Sequence, residues 1–261
     1  MIENNDLLLK VCNIAIKAGE EILKYYNDDI EVTHKDDSSP LTKADLASNK
    51  IILNALHELD RTIPILSEES LVEWNQRKNW TKYWLVDPLD GTKEFIEGIP
   101  HFSISIALVK DGSPVIGIIY NPYTEEMFYA EKDKGAYLNG SNVKISVKEK
   151  LIDSSIVVSR SEYRKKLWNE YKESFSAIES IGSVAYKLGL VSANKYDIFS
   201  TVAPKNEWDI CAGDCIIREA GGVFKTINDK NIIYNQKKTL VTDPIIATNS
   251  ILFNSVSDLL Y

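Results

Sequence analysis

Cysteine is scarce in this sequence. Only three of its 261 residues, Cys12, Cys211 and Cys215, carry a thiol, and no two of them form a Cys-x-x-Cys pair. A small, odd number of cysteines excludes a disulfide framework and a zinc ribbon. Cys211 and Cys215 are spaced to share one face of a helix. We therefore interpret the cysteines as small buried hydrophobic residues of a protein from a reducing compartment.

Long hydrophobic runs and a basic amino terminus are also missing. No stretch approaches the roughly 18 apolar residues that a membrane-spanning helix needs. Residues 1–26 contain early acidic residues and broken hydrophobicity instead of the basic start and apolar run of a signal peptide. The sequence predicts a soluble cytoplasmic protein without membrane insertion.

Basic residues do not dominate the charge. Lys and Arg total 30 against 38 for Asp and Glu, and the net charge is −8. A general nucleic-acid binder needs a basic face, so this balance argues against a nucleic-acid polymer as partner. It does not exclude a small anionic ligand, because a bound metal can reverse the sign of a local field.

With 44% hydrophobic residues, the chain can form one large domain or two small ones, each with a core.

The amino-terminal half begins with helical patterns and continues with strands. Apolar residues recur at helical spacing between Leu7 and Leu23, and the polar stretch 27–40 is typical of a loop or a short hairpin. Thr42 and Asp45 stand at N-cap and N3 spacing and predict a second helix. We expect an antiparallel sheet from the strand patterns that follow, at 63–66, 83–86, 103–109, 115–120, 127–130 and 135–137.

The carboxy-terminal half has a different pattern, and we place a soft boundary near residue 150. A strand at 156–159 precedes a polar helix at 162–175, a more apolar helix at 183–193 and a helix at 209–220 that ends at Gly221-Gly222. This alternation is typical of α/β structure. The sequence therefore predicts an α+β subdomain over residues 1–150 and a smaller α/β subdomain over 151–261.

The most specific motif is Trp84-Leu85-Val86-Asp87-Pro88-Leu89-Asp90-Gly91-Thr92. An apolar strand delivers two carboxylates at its carboxyl end, and the Asp-Pro pair favours a turn that leaves the Leu89 carbonyl free. Carboxylate and carbonyl oxygens are hard ligands suited to magnesium. If Gly91 and Thr92 begin a helix, their amides can hold a phosphate. Asp-Pro and Asp-Gly are also common in solvated turns, so the spacing alone leaves both interpretations open.

Three further segments place acidic residues at strand ends or helix starts. Glu68-Glu69 follows an apolar strand, whereas Asp209 and Asp45 lie at predicted helix starts. Each of them alone is explained by a solvated corner or by an ordinary helix-start acid. Together they indicate a site, because α/β and α+β proteins place their sites at such positions.

Four blocks of the sequence resemble, in order, the signature segments of the inositol monophosphatase superfamily, whose members are magnesium-dependent, lithium-sensitive phosphatases. The blocks are residues 40–45, 66–70, 84–92 and 207–209. Lys93 and Glu94 resemble the 3′(2′),5′-bisphosphate nucleotidase branch of CysQ type, since inositol monophosphatases more typically carry threonine and asparagine there. Ser183 and Lys187 are similar to the segment with which nucleotidases hold the nucleotide, although the spacing from Ser183 to Lys187 is one residue longer than in the CysQ pattern.

The resemblance implies a fold and a metal centre. The implied fold is an α-β-α-β-α layered sandwich with an antiparallel amino-terminal sheet and a smaller mixed carboxy-terminal sheet. Glu68, Asp87 and the Leu89 carbonyl would hold one magnesium ion. Asp87, Asp90 and Asp209 would hold a second, and a third ion is implied as an option.

The resemblance also implies roles in catalysis and substrate binding. Asp45 and Thr92 would orient the attacking water and take its proton, and Glu69 would help to orient a water at the metal. The amides of Gly91 and Thr92 would hold the phosphoryl oxygens. The other implied substrate contacts are Ser183, Lys187 and Asp209.

The implied reaction is hydrolysis of the 3′-phosphate of adenosine 3′,5′-bisphosphate, or of its 5′-phosphosulfate form, by a metal-activated water. Inositol 1-phosphate and fructose 1,6-bisphosphate are rival substrates for the same chemistry. A catalytically silent metal- or phosphate-binding module is the alternative of another class, and the complete set of proposed ligands argues against it. The implied partner is a small phosphorylated substrate, and the family permits a monomer or a homodimer.

Overall fold

The computed structural model describes residues 7–26, 32–34 and 40–260. Most of the predicted loop or short hairpin at 27–40 lies outside the described residues, although residues 32–34 within it pair antiparallel with residues 40–42. The helices are α1 (Leu7–Leu23), α2 (Lys43–Leu59), α3 (Trp74–Arg77), α4 (Thr92–Ile96), α5 (Arg160–Arg164), α6 (Val184–Ser192), α7 (Glu207–Glu219) and α8 (Ser250–Leu260). The strands are β1 (Val32–His34), β2 (Pro40–Thr42), β3 (Ile65–Ser67), β4 (Lys82–Asp90), β5 (Ser103–Lys110), β6 (Ser113–Asn121), β7 (Glu126–Glu131), β8 (Ala136–Leu138), β9 (Ser141–Val143), β10 (Ser155–Ser159), β11 (Ala177–Ile181), β12 (Ile198–Thr201), β13 (Lys205–Asn206), β14 (Val223–Thr226), β15 (Leu240–Val241) and β16 (Ile245–Thr248). Within these ranges, no helix combines the length and the hydropathy needed to cross a membrane.

The larger sheet has seven strands in the order β3-β4-β5-β6-β7-β8-β9. Strand β3 pairs parallel with β4, and the remaining neighbours pair antiparallel. The prediction of an antiparallel sheet is therefore wrong at β3, and the sheet is mixed. The reason is the crossover through α3, which brings the chain back to start β4 in the same direction as β3.

The smaller sheet has five strands in the order β11-β10-β12-β16-β14. Strand β10 is parallel to β11 and β12, whereas β16 runs antiparallel to β12 and β14. The predicted smaller mixed sheet is confirmed. The larger sheet is formed by strands that precede residue 150 in the sequence, and the smaller sheet by strands that follow it. The division of the chain into subdomains stays a prediction.

Three buried clusters separate the layers of the fold. One joins α1 and α2 to the first face of the larger sheet, the second packs α6 and α7 between the two sheets, and the third covers the far face of the smaller sheet with α8. Strand β5 shows the division, because Ile104, Ile106 and Leu108 face α1 and α2 while Ala107 and Val109 face the central helices. The layer order is α-β-α-β-α, as predicted.

The central helix α7 lies unusually close to strand β6. A Cβ atom on Gly117 would come within 2.4 Å of the Ala212 carbonyl oxygen, so the strand must carry glycine there for the helix to approach. Cys211 and Cys215 are buried in the same layer, and burial raises the pKa of both thiols. This agrees with their interpretation as buried hydrophobic residues.

The predicted polar helix at 162–175 is wrong. The segment contains the end of α5 and a 3₁₀ helix at Asn169–Ser174, and Lys166 between them has a φ of 61°. Trp168 and Phe175 are buried against the smaller sheet. Tertiary packing of these two aromatic side chains therefore overrides the helical propensity of the polar residues around them.

Candidate metal-binding site

The Asp-Pro-Leu-Asp segment forms a bulge at the end of β4 instead of the predicted turn. Asp87 lies opposite Ser105 and Asp90 lies opposite Ser103, so β4 takes one more residue than β5 between the same two pairs. The Leu89 amide donates to Asp87 Oδ1 over 3.0 Å. The bulge brings both aspartates to the carboxyl end of the strand, as the sequence predicts.

Helix α2 holds the bulge and the neighbouring strand end in place. The Ser48 hydroxyl donates to the Pro88 carbonyl over 2.8 Å. The next residue, Asn49, accepts from the Ser67 hydroxyl over 2.7 Å and donates to the Ser70 hydroxyl over 3.0 Å. Glu68 lies between these two serines, and its amide bonds the Val86 carbonyl at 3.1 Å, beside Asp87.

Helix α7 delivers Asp209 to the same edge of the sheet. A capping box joins Asn206 and Asp209, in which the backbone amide of Asn206 donates to Asp209 Oδ2 over 2.9 Å. The Ser105 hydroxyl of β5 donates to the Trp208 carbonyl over 3.0 Å and ties the helix start to the sheet. Asp209 is thus both a helix-start acid and a member of the site.

Carboxylate oxygens of Glu68, Asp87 and Asp209 all lie within 4.8 Å of one another. Burial raises the pKa of Asp87 well above its ordinary value, and the charges of Glu68, Asp90 and Asp209 raise it further. Burial, followed by the charges of Asp90 and Glu68, does the same to Asp209. A divalent cation would relieve this repulsion, so the donor set fits a hard metal ion that prefers oxygen ligands.

Asp90 reaches this cluster with one oxygen already occupied. Its Oδ2 accepts from the Ser183 hydroxyl over 2.6 Å and from the Ala185 amide over 2.7 Å. Burial raises the pKa of Asp90, whereas these two hydrogen bonds and the charge of Lys187 act in the opposite direction. Asp90 therefore has one oxygen held by the start of α6 and one left for a ligand.

Asp45 and Thr92 meet beside the bulge. The Thr92 hydroxyl lies 3.1 Å from Asp45 Oδ1 and 3.1 Å from the Leu89 carbonyl oxygen, and it can donate to either. The other Asp45 oxygen accepts from the Thr42 amide over 2.8 Å and from the Thr42 hydroxyl over 2.5 Å. The predicted capping box at the start of α2 is confirmed, and it fixes the Asp45 carboxylate toward Thr92.

Gly91 is the N-cap of the short helix α4 and has a φ of 97°. A Cβ atom there would stand 2.7 Å from the His101 carbonyl oxygen, so both the backbone angle and the space require glycine. The predicted helix start at Gly91 and Thr92 is confirmed. It places their amides beside the aspartates, as phosphate binding would need.

The acidic cluster and the start of α4 line one cleft of about 370 Å³, whereas Asp45 is buried outside its lining. The walls of the cleft are Pro40, Glu68, Asp87, Leu89, Asp90, Gly91, Thr92, Lys93, Glu94, Pro204, Asn206 and Asp209. Sequence reasoning missed Ser103, whose hydroxyl lies 2.9 Å from that of Ser183, and the Ala185 amide. No motif marks Ser103, although its position opposite Asp90 follows once the β4–β5 register is known.

Three predicted residues have other contacts in this structure. Glu69 is half-buried next to Glu68, and its amide donates to the Ser67 hydroxyl over 3.3 Å. Ser183 is engaged with Asp90. Lys187 is only 1% exposed and donates to the carbonyls of Ile181 and Ser183 over 3.0 and 2.8 Å, while burial lowers its pKa to about 8. Direct substrate contacts through Ser183 and Lys187 stay predictions, and this geometry gives Lys187 no support for one.

Glu207, from the same sequence block as Asp209, points away from the cleft. Its two carboxylate oxygens accept from the amides of Asn235 and Gln236 over 2.9 and 2.8 Å. Burial raises its pKa to about 7. We assign Glu207 a structural role in holding the 235–236 segment.

Comparison with known proteins agrees with the fold and the motifs. The model of the inositol monophosphatase family matches residues 4–256. The 3′(2′),5′-bisphosphate nucleotidase CysQ of Salmonella typhimurium is 35% identical over 240 residues, which cover 90% of this chain and 96% of the relative. The CysQ of Buchnera aphidicola is 36% identical and covers 88% of each chain.

Solved structures show the same likeness. The crystal structure of CysQ from Bacteroides thetaiotaomicron, a bacterial member of the inositol monophosphatase family, aligns with a TM-score of 0.78 and 31% identity over 95% of this chain and 99% of that one. The inositol monophosphatase of Thermotoga maritima aligns with a TM-score of 0.85 and 26% identity over 95% and 94%. On the match of fold, family model and sequence, this chain belongs to the inositol monophosphatase family.

Proposed function

We propose that this protein is a magnesium-dependent phosphatase that removes the 3′-phosphate of adenosine 3′,5′-bisphosphate. The observation that carries the proposal is the convergence of Glu68, Asp87 and Asp209 within 4.8 Å, beside the start of α4. The names of the CysQ relatives support the choice of substrate.

In this proposal the carboxylates would hold two magnesium ions, with a third as an option. Glu68, Asp87 and the Leu89 carbonyl would hold one ion, and Asp87, Asp90 and Asp209 would hold the other. The Leu89 oxygen lies 3.1 Å from the Thr92 hydroxyl, and a carbonyl has a second lone pair for a ligand. When bound, the ions stabilise the charge that develops on the phosphoryl group and make water a stronger nucleophile.

We assign the proton transfer to Thr92 and Asp45. The Thr92 hydroxyl can donate to Asp45 over 3.1 Å, and its own lone pairs can then accept from the attacking water. Asp45 becomes the final proton acceptor, since Thr42 holds its other oxygen and fixes the carboxylate. We propose that half-buried Glu69 helps to orient the water.

The substrate phosphate would lie at the start of α4. The amides of Gly91 and Thr92 would donate to its oxygens, and Asp209, which lines the same cleft, would contact the substrate. Lys93 is exposed and lines the same cleft, so it is our candidate for a second phosphate of the substrate. Inositol 1-phosphate lacks a second phosphate and would not use this contact.

A comparison of three substrates tests the proposal. We expect kcat/KM for adenosine 3′,5′-bisphosphate to exceed the values for inositol 1-phosphate and fructose 1,6-bisphosphate by about tenfold, which is about 1.4 kcal/mol of transition-state binding. Phosphate release is measured at equal magnesium, with a chelated sample as the control. A preference for inositol 1-phosphate would assign the chain to the rival substrate, and no release from any of the three would favour a silent binding module.

We further infer that the protein works in the cytoplasm on small phosphorylated compounds, as a monomer or a homodimer. The three buried thiols of Cys12, Cys211 and Cys215 support a reducing compartment.

A further inference from the structure

We infer that Lys187 is a positioning residue for the metal site: its buried ammonium holds the Ile181–Ser183 turn, and that turn holds Asp90. The inference rests on the proposed metal role of Asp90 and is independent of the substrate. It gives Lys187 a different task from the nucleotide contact that sequence resemblance implies.

The Lys187 ammonium bonds both ends of this turn. Lys187 is one helical turn after Ser183 on α6, and its Nζ donates back to the Ser183 carbonyl over 2.8 Å and to the Ile181 carbonyl over 3.0 Å. With Lys187 only 1% exposed, water cannot replace these bonds cheaply. Both ends of the three-residue turn are thus tied to one buried group.

The turn needs such support because it is strained. Ser183 has a φ of 53° and a ψ of 124°, a conformation that residues other than glycine rarely adopt. Gly182 before it packs so closely on Glu94 that a Cβ atom would lie 2.2 Å from the Glu94 Cγ. Without the bonds from Lys187, we expect the turn to relax toward an ordinary backbone conformation.

Relaxation of the turn would release Asp90. The Ser183 hydroxyl and the Ala185 amide donate to the same oxygen, Asp90 Oδ2, over 2.6 and 2.7 Å. The hydroxyl also accepts from the Tyr186 amide over 2.9 Å, so its orientation depends on the helix start. These bonds direct the remaining Asp90 oxygen, and partners that orient a metal ligand in this way affect metal affinity about 10- to 100-fold.

The direction in which magnesium affinity changes when Lys187 is replaced distinguishes a positioning role from a simple charge effect. Lys187 is a cation near several carboxylates, and its charge lowers the pKa of Asp90. If the charge were its only contribution, neutralising Lys187 would make the site more negative and strengthen magnesium binding. A positioning role predicts weaker binding.

The test is a calorimetric titration of the metal-free full-length protein with magnesium chloride, without substrate. We expect Lys187→Met to weaken magnesium binding about tenfold. Lys195→Met is the matched control, because Lys195 is exposed just after the same helix and loses the same charge. Its magnesium affinity should stay at the wild-type value.

A second variant tests the route through Ser183. Ser183→Ala should also weaken magnesium binding. The double variant should bind magnesium as tightly as the more impaired of the two single variants, because both substitutions act on the same bonds. At saturating magnesium, Lys187→Met should keep the wild-type KM for the substrate. Loss of a lysine that binds the nucleotide would raise KM.

Tighter or unchanged magnesium binding in Lys187→Met would overturn the inference, and so would additive effects in the double variant. If Lys187→Met does not fold, Lys187→Gln retains a donor for one carbonyl and is held to the same two outcomes. A protein without phosphatase activity would still give these binding results, so failure of the proposed reaction is distinguishable from failure of this inference.

Discussion

The Asp209→Asn variant should fold normally and lose about 10³-fold in kcat/KM at fixed magnesium. A metal ion contributes several kcal/mol of charge stabilisation, and about 1.4 kcal/mol corresponds to tenfold in rate. The fold should survive because the amide oxygen of asparagine can still accept from the Asn206 amide, which now donates over 2.9 Å. Phosphate release and thermal unfolding of the same preparation measure the two effects.

Asp229→Asn is the matched control for this variant. Asp229 is exposed, pairs with Lys225 over 2.6 Å and has a φ of 57°, which asparagine tolerates well. We expect its rate to equal that of the wild type. An Asp209→Asn enzyme with an unchanged rate would contradict the role of Asp209 in the metal site.

Magnesium should strongly stabilise the metal-free protein at neutral pH. Buried carboxylates repel one another around Asp87 and Asp209, and a bound cation turns this repulsion into attraction. Binding to the folded state alone adds about 2.7 kcal/mol at a concentration of 100 times Kd. For a chain of this size, that corresponds to a rise of roughly 5–10 °C in Tm, measured by thermal unfolding with magnesium or with chelator at equal ionic strength.

The stability of the metal-free protein should also depend on pH, and the direction of the change can be derived from the pKa shifts. The folded-state pKa values of Asp87, Asp90 and Asp209 are raised above the unfolded value of about 3.9. The folded protein then binds more protons than the unfolded chain, so the stability of the metal-free protein falls as pH rises from about 4 toward these raised values. Glu207, with its pKa of about 7, acts in the same direction up to neutral pH.

We therefore expect the metal-free Tm to be lower at about pH 7.5 than at about pH 5.5, and magnesium to raise Tm more at the higher pH. Asp209→Asn should reduce the gain from magnesium and should leave the metal-free protein at least as stable as the wild type. Equal Tm values with magnesium and with chelator at the higher pH would show that the acidic cluster does not hold the ion.

Much of the site could be predicted because it lies in short, local patterns. The strand that ends in Asp87 and Asp90, the capping box of Thr42 and Asp45, and the helix that starts near Asp209 each follow from spacing and terminal chemistry within a few residues. Asp209 illustrates the limit of local reasoning, since this one residue belongs both to the capping box of α7 and to the acidic cluster. Only its place beside Glu68 and Asp87 in space distinguishes the two roles.

The features that could not be predicted depend on contacts distant in sequence. The parallel pairing of β3 with β4 is decided by the crossover through α3, and the bulge at Asp87 becomes visible only through the register with β5. The segment at 162–175 follows the burial of Trp168 and Phe175 instead of its local propensity. The sequence resemblance implies that Lys187 contacts the substrate, and nothing in its neighbours shows that its ammonium is instead buried against the Ile181 and Ser183 carbonyls.

The most direct test of the proposed reaction is phosphorus NMR of adenosine 3′,5′-bisphosphate incubated with the enzyme, with magnesium and with chelator. Our account predicts adenosine 5′-phosphate and inorganic phosphate as the products, and their formation only when magnesium is present. Adenosine 3′-phosphate as the product, or the same rate with chelator, would contradict it.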